Sequence, residues 1–242
     1  MEEKKTHRLV EKPRMSVRFL ADYMAASDQV RRTILRDCKY RATARMVQHD
    51  DAKLAISKYM LHGCTDPEIL NVEAEYIRNK LADDQFDTDC NDVNADYVER
   101  FAKVVEDIEL PKGAQWEQSK PFAAQDINGL KVTFAPSLLT RRTTRQNTTK
   151  RGAMMLRYAK GTTLRGEVGA FQSSVIHGLL NMYGTAEDEQ IDGKLCLTIC
   201  GHSGTMHPAP TNCVSRFNNT KAACATIAEQ WDKIKPPPKA VL

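Results

Sequence analysis

The side chains able to do chemistry fall into one long run and a few small groups. From Ile127 to Gly166 there is no Asp or Glu, while Lys131, Arg141, Arg142, Arg145, Lys150, Arg151, Arg157, Lys160 and Arg165 are cationic. Thr, Gln and Asn lie between them, side chains that hydrogen-bond to phosphate and sugar but build no core. A long acid-free basic segment is the electrostatic footprint of something that holds a polyanion. Arg141 to Arg151 contains no apolar residue, so the pattern predicts an exposed, flexible loop between two strands. Such a loop would grip phosphates irrespective of sequence, because it offers few aromatic rings for bases to stack on. The competing reading is a solvated loop facing an acidic protein partner.

Just after the run comes Tyr158-Ala159-Lys160-Gly161-Thr162-Thr163-Leu164-Arg165-Gly166, followed by a helical pattern. A Gly-rich strand-to-helix turn points backbone amides and a helix N-terminus the same way, which suits phosphate. The spacing is neither that of a Walker loop nor that of a Rossmann fingerprint. The candidate nucleic-acid contacts are therefore Arg141, Arg142, Arg145, Lys150, Arg151, Arg157, Lys160, Gly161, Thr162, Arg165 and Gly166.

Catalytic alternatives are thinner. Cys200, His202, His207 and Cys213 supply two thiols and two imidazoles, the atoms of a tetrahedral zinc site, but their spacing fits no common knuckle. Asp192-Gly193-Lys194 resembles half of a metal-dependent nuclease site, and Asp-Gly is also an ordinary turn pair. Asp87, Asp89 and Asn91 alternate as in a calcium loop that lacks its glycine and terminal glutamate. His177 falls in a helical pattern without a nucleophile or a base in motif context. No catalytic residue, metal ligand or cofactor is assigned. A metal-dependent nuclease or a zinc-containing DNA-binding protein stands as the alternative function.

The elements that would position these groups follow from hydrophobic period. Residues 1–14 are polar and read as a loose arm. Phe19, Leu20, Tyr23 and Met24 share a helical face, and Ser27 opens a second helix carrying Val30, Ile34, Leu35 and Cys38. Arg31, Arg32, Arg36, Lys39, Arg41 and Arg45 make that region basic. Thr65-Asp66-Pro67-Glu68 reads as a capping box, ahead of Leu70, Ala74, Ile77 and Leu81. Residues 82–96 read as an acidic loop, and Val93 to Ile108 as a further helix. After Gly113 the period drops to two: Leu130, Val132 and Phe134; then Met154, Leu156 and Tyr158; then Leu195, Leu197 and Ile199. Helices are predicted around Val168–Met182 and Phe217–Ile234. The expected fold is α+β, a helical N-terminal half followed by a small antiparallel sheet with helices, divided at 1–112 and 113–242.

Strand, basic insertion, strand, then Gly161-Thr162-Thr163-Leu164-Arg165-Gly166 opening a helix resembles the RAMP superfamily. Those are RNA-recognition-fold (RRM-like) proteins that form the backbone of multi-subunit CRISPR effector complexes. In that family a G-S/T/N-S/T-L-R/K-G turn opens the first helix, and a preceding strand ends in a segment like Phe134-Ala135-Pro136-Ser137-Leu138-Leu139. The resemblance covers residues 128–181. It implies guide-RNA binding through Gly161, Arg165, Gly166 and the basic loop, neighbouring protein subunits, and no catalysis by this subunit. The chain departs from the pattern in placing roughly half its length before the first strand and few residues after the helix.

Charge is segregated along the 242 residues. Residues 1–64 carry 14 basic against 8 acidic side chains, 65–109 carry 4 against 14, and 110–166 carry 11 against 2. An adaptor in which the acidic block of one copy meets the basic block of another is a third possibility. No apolar run approaches the ~20 residues of a membrane span, and the N-terminus lacks a signal-peptide core, so a cytoplasmic location without membrane contact is expected. Seven irregularly spaced cysteines suggest no disulfide framework.

Overall fold

Short polar side chains set several helix starts. Ser16 precedes helix α1 (Val17–Met24) and its hydroxyl accepts from the Phe19 amide. Asp66 accepts from the Glu68 amide at 2.9 Å, opening a helix at Glu68–Arg78, while Asp84 accepts from the Asp87 amide at the head of a helix at Gln85–Ala102. The computed structural model describes residues 5–44, 46, 49–158 and 162–242. The elements run β1 (His7–Leu9), β2 (Arg14–Ser16), α1, α2 (Asp28–Lys39), β3 (Tyr40–Ala42), α3 (Asp50–Leu61), α4 (Glu68–Arg78) and α5 (Gln85–Ala102). Then come β4 (Gln115–Gln118), β5 (Gln125–Ile127), β6 (Leu130–Thr133), β7 (Leu138–Thr143), β8 (Thr149–Arg157), α6 (Gly166–Tyr183), β9 (Glu189–Cys200), β10 (Met206–Pro208) and α7 (Cys213–Gln230).

The expected order, helices first and one antiparallel sheet after, is overturned. Helices and strands interleave, and the strands form three sheets, ordered β10-β9-β8-β7-β4, β2-β6-β5 and β1-β3. The protein is α+β, but two pairings are parallel: β8 with β9 across α6, and β2 with β6. The physical reason is length. The three strands within the first 42 residues are three residues each, too short to show a period of two, and their partners are distant in sequence. The arm is likewise tied down, since the Thr6 and His7 amides both donate to the Val241 carbonyl.

Residues 82–96 correct another expectation. Rather than a loop they form most of α5, which buries Ala95, Tyr97, Val98 and Phe101. The acidic side chains stay on its outer face, where Arg78 reaches Asp92, Asp96 and Glu99. A reader of composition sees repulsion, whereas the fold supplies a cation from α4.

The five-stranded sheet is covered on both faces. Met154, Leu156, Tyr158, Leu197 and Ile199 pack against α3, α4 and α5. Ala153 and Cys196 face the second core, built from α1, α2, the three-stranded sheet, α6, α7 and the fully buried Trp231. Alternation along β8 divides these two sets, as a pleated strand requires. Packing of α6 on α7 is close enough to demand glycine. A Cβ on Gly178 would lie 2.2 Å from Phe217 Cγ. Among the described residues no helix is long and apolar enough to cross a membrane.

Candidate nucleic-acid interface

The basic run is not a flexible loop. Arg141 and Arg142 lie in β7, Lys150 and Arg151 lie in β8, and only residues 144–148 form the turn of this hairpin. Apolar content failed as a guide because the ladder itself, six register pairs between β7 and β8, holds the strands. Neighbouring strands bring carboxylates to these cations. Arg142 pairs with Asp192 at 2.8 Å; Arg151 pairs with Glu117 at 2.5 Å and with Glu189 at 2.7 Å; Arg141 lies 3.4 Å from Glu117. Lys150 donates to the Gln190 side chain. Burial opposes the charge on Arg151, yet its bonds to Glu189 and Glu117 hold its pKa above the ordinary value. Arg145, in the turn, is exposed and has no ion-pair partner among the described residues.

Arg157 plays a different part. It is 6% exposed, donates to Asp22 at 2.6 Å, to Gln172 at 3.0 Å and to the Arg18 carbonyl at 3.2 Å. Desolvation lowers its pKa, with Asp22 partly offsetting the effect. This arginine ties α1 and α6 to β8. Beyond it, Thr162 and Gly166 are exposed, and a Cβ on Gly166 would meet nothing within 4 Å, so the α6 N-terminus is open. Arg165 donates to the Ala25 carbonyl at 3.3 Å. Lys160 and Gly161 lie outside the described residues, as does Arg45. The hairpin turn precedes β8 and the α6 N-terminus follows its other end, and β8 alone spans roughly 26 Å at the rise of a strand. Among the described residues the predicted contacts are therefore not gathered on one surface.

The fold gathers another set. A cleft of about 980 Å³ opens between the β1–β3 ribbon, β2 and the helices α1 and α2. Arg8 and Arg41 stand directly opposite one another across the ribbon, and Arg14 occupies the same cleft from β2. Arg14 in turn is register partner to Lys131. Like charges directly opposed on a ribbon cost stability, by about half a kcal/mol. Among the described residues Asp37 is the one acid lining the cleft, and it lies 3.9 Å from Arg36 outside it. Among the described residues Arg8, Arg14 and Arg41 have no ion-pair partner. Phe19, 40% exposed, and Met46 line one wall, and Ser16, Thr43 and Thr133 add hydroxyls. Burial lowers the pKa of Arg157 and of His49, and Arg18, the second residue of α1, is close enough to both to add to the effect. Other cations of the basic helix are committed: Lys39 is buried and donates to the Trp231 carbonyl at 2.7 Å, and Arg31 donates to the carbonyls of Tyr23 and Met24.

Sequence reasoning missed Arg8 and Arg14. They stand near Glu11 in the chain and belong to no run. What reveals them is strand register, which three-residue strands do not advertise.

The catalytic alternatives disperse. Cys200 accepts from the Leu164 amide at 3.4 Å, and that bond with others from Ser203 and His202 lowers its pKa despite desolvation. Cys213 lies 3.7 Å from His177 Nδ1 instead, and His207 packs against Gly169. Burial lowers the pKa of both His177 and His207. Among the described residues no three His, Cys, Asp or Glu side chains stand close enough to hold a metal. Asp192 is engaged by Arg142 and by the Lys194 amide. Asp87 and Asp89 lie on α5. The seven cysteines are free thiols.

The chain matches no protein-family model and no curated protein.

Proposed function

We propose that this chain is a non-catalytic subunit of a ribonucleoprotein assembly that holds RNA, and DNA as a second substrate, by its phosphates. The observation that carries the reading is the opposed pair Arg8 and Arg41 with Arg14 beside them, in a cleft whose described lining holds one carboxylate. Three guanidinium groups with no ion-pair partner among the described residues are the arrangement a phosphate backbone neutralises, and each fork can take a phosphate with two parallel hydrogen bonds. The exposed Arg145 and the open α6 N-terminus would be outlying contacts. The resemblance to CRISPR backbone subunits points the same way and favours a guide RNA in the cytoplasm.

The test is direct. The chain is expressed, purified at moderate salt and examined for co-purifying nucleic acid by absorbance ratio and nuclease sensitivity. RNA protected at a regular length is the expected result. A clean protein that binds neither added RNA nor added DNA at low salt contradicts the reading.

A further inference from the structure

Helix α2 buries Leu35, Cys38 and Lys39 and leaves its other cations to be accounted for. Arg32 and Arg36 stand one turn apart, about 6 Å from each other along the axis. Like charges at that spacing weaken a helix. A segment distant in sequence then adds a third cation. The buried Lys39 ammonium donates to the carbonyls of Trp231, Asp232 and Ile234 at 2.7, 3.3 and 3.4 Å, and the Tyr40 hydroxyl donates to the Ile234 carbonyl at 2.9 Å. These bonds hold the segment against the end of α2. Lys235 is thereby set beside Arg32 and Arg36 in a pocket of about 280 Å³, whose lining Thr33 and Ile234 complete.

The lining says what fits. Among the described residues it holds no acid and no aromatic ring, so a base would find nothing to stack on, whereas an anion would meet two guanidinium forks, an ammonium and a hydroxyl. Arg32 and Lys235 are exposed and have no ion-pair partner among the described residues. Arg36 lies 3.9 Å from Asp37, too far for a hydrogen bond, and its buried Nε has no acceptor. The pocket also adjoins the arginine cleft. Tyr40 lines that cleft, and its hydroxyl is bonded to Ile234 of the pocket. Arg36 of the pocket and Asp37 of the cleft are neighbours in the chain, so the cation offsets the cleft's carboxylate where the two meet.

We propose that Arg32, Arg36 and Lys235 form a second phosphate site, which takes a further phosphate of the strand held by Arg8, Arg14 and Arg41. The inference rests on the nucleic-acid reading and gives it a direction: the strand leaves the cleft past Tyr40 and over α2, rather than along the β7–β8 hairpin. Continuity with the cleft favours the same polyanion over a separate acidic protein.

The probe is a labelled single-stranded RNA of about 16 nucleotides, long enough to cover both sites. Its binding to the full chain is followed by anisotropy across a range of salt. Arg32→Ala with Lys235→Ala changes two exposed side chains, so urea unfolding should be unaltered. This variant should bind about tenfold more weakly at low salt, and its log–log slope should fall by roughly 0.7, the release expected for one lost phosphate contact on a single strand. Lys58→Ala with Lys103→Ala removes the same charge from α3 and the end of α5, and its slope should stay within roughly 0.2 of the original. Arg8→Ala with Arg41→Ala reports separately on the cleft. If the cleft variant loses slope and the α2 variant behaves like the lysine control, the proposal is overturned and the nucleic-acid reading stands. If the unaltered chain binds no RNA, both fall. Calorimetry with inorganic phosphate covers the remaining source: heat that the α2 variant abolishes, together with an RNA slope it leaves unchanged, would assign the pocket to a free anion and overturn the proposal.

Discussion

The β7–β8 hairpin and the N-terminal cleft are both rich in arginine, and the fold treats them in opposite ways. The hairpin belongs to the longest acid-free stretch of the chain, yet Glu117, Glu189 and Asp192 reach it from β4 and β9 and pair with three of its arginines. The cleft draws Arg8, Arg14 and Arg41 from an unremarkable sequence, and no carboxylate among the described residues pairs with them. Charge counted along a chain is a poor proxy for charge in space, because a sheet places residues dozens of positions apart within ion-pair distance. A free cation that opposes another cation is the stronger sign of a bound anion.

The comparison can be broken most forcefully at Arg157, which the sequence grouped with the phosphate contacts. Its side chain is buried against Asp22. Arg157→Ala should destabilise the protein by about 3 kcal/mol in urea unfolding, the scale for leaving one partner of a buried pair uncompensated. A variant of unchanged stability and weakened RNA binding would return Arg157 to the interface.

A smaller effect sharpens the contrast from the other side. Glu117→Gln with Glu189→Gln uncovers Arg141 and Arg151 without removing any cation. RNA affinity at low salt should rise about threefold, a fraction of a kcal/mol, with a steeper salt dependence. If affinity does not change, the hairpin lies away from the nucleic acid even when unmasked.

The smallest expected change is one of stability. Removing one member of an opposed like-charge pair relieves repulsion, so Arg8→Ala should raise stability by about 0.5 kcal/mol or leave it level in the same urea experiment. A loss of more than about 1 kcal/mol would mean that Arg8 holds the ribbon together.

Parts of this architecture were legible in the sequence. The helices at α4, α6 and α7 and the cores of β6, β8 and β9 carry regular apolar spacing over enough residues to be read. The capping box read at Thr65–Glu68 is not formed as such: Asp66, not Thr65, accepts from the Glu68 amide. The ribbon β1–β3 was not legible, because three residues hold one and a half periods and the ladder that fixes them joins strands separated by two helices. Helix α5 was hidden by its acids, whose partner Arg78 is on another helix. At the candidate site the sequence named Arg41 only as part of a basic helix, and register alone sets it opposite Arg8.

The measurement closest to the central claim is the salt dependence of RNA binding, taken for the unaltered chain, Arg8→Ala with Arg41→Ala, and Arg142→Ala with Arg151→Ala. Fluorescence anisotropy with a labelled single-stranded RNA gives affinity against salt. The cleft variant should bind about 30-fold more weakly at low salt, and its log–log slope should fall by roughly 1.4, the release expected for two lost phosphate contacts on a single strand. The hairpin variant should keep the slope within roughly 0.3 of the original, since its arginines already face carboxylates. The reverse pattern, an unchanged slope for the cleft variant and a reduced one for the hairpin variant, would contradict the account.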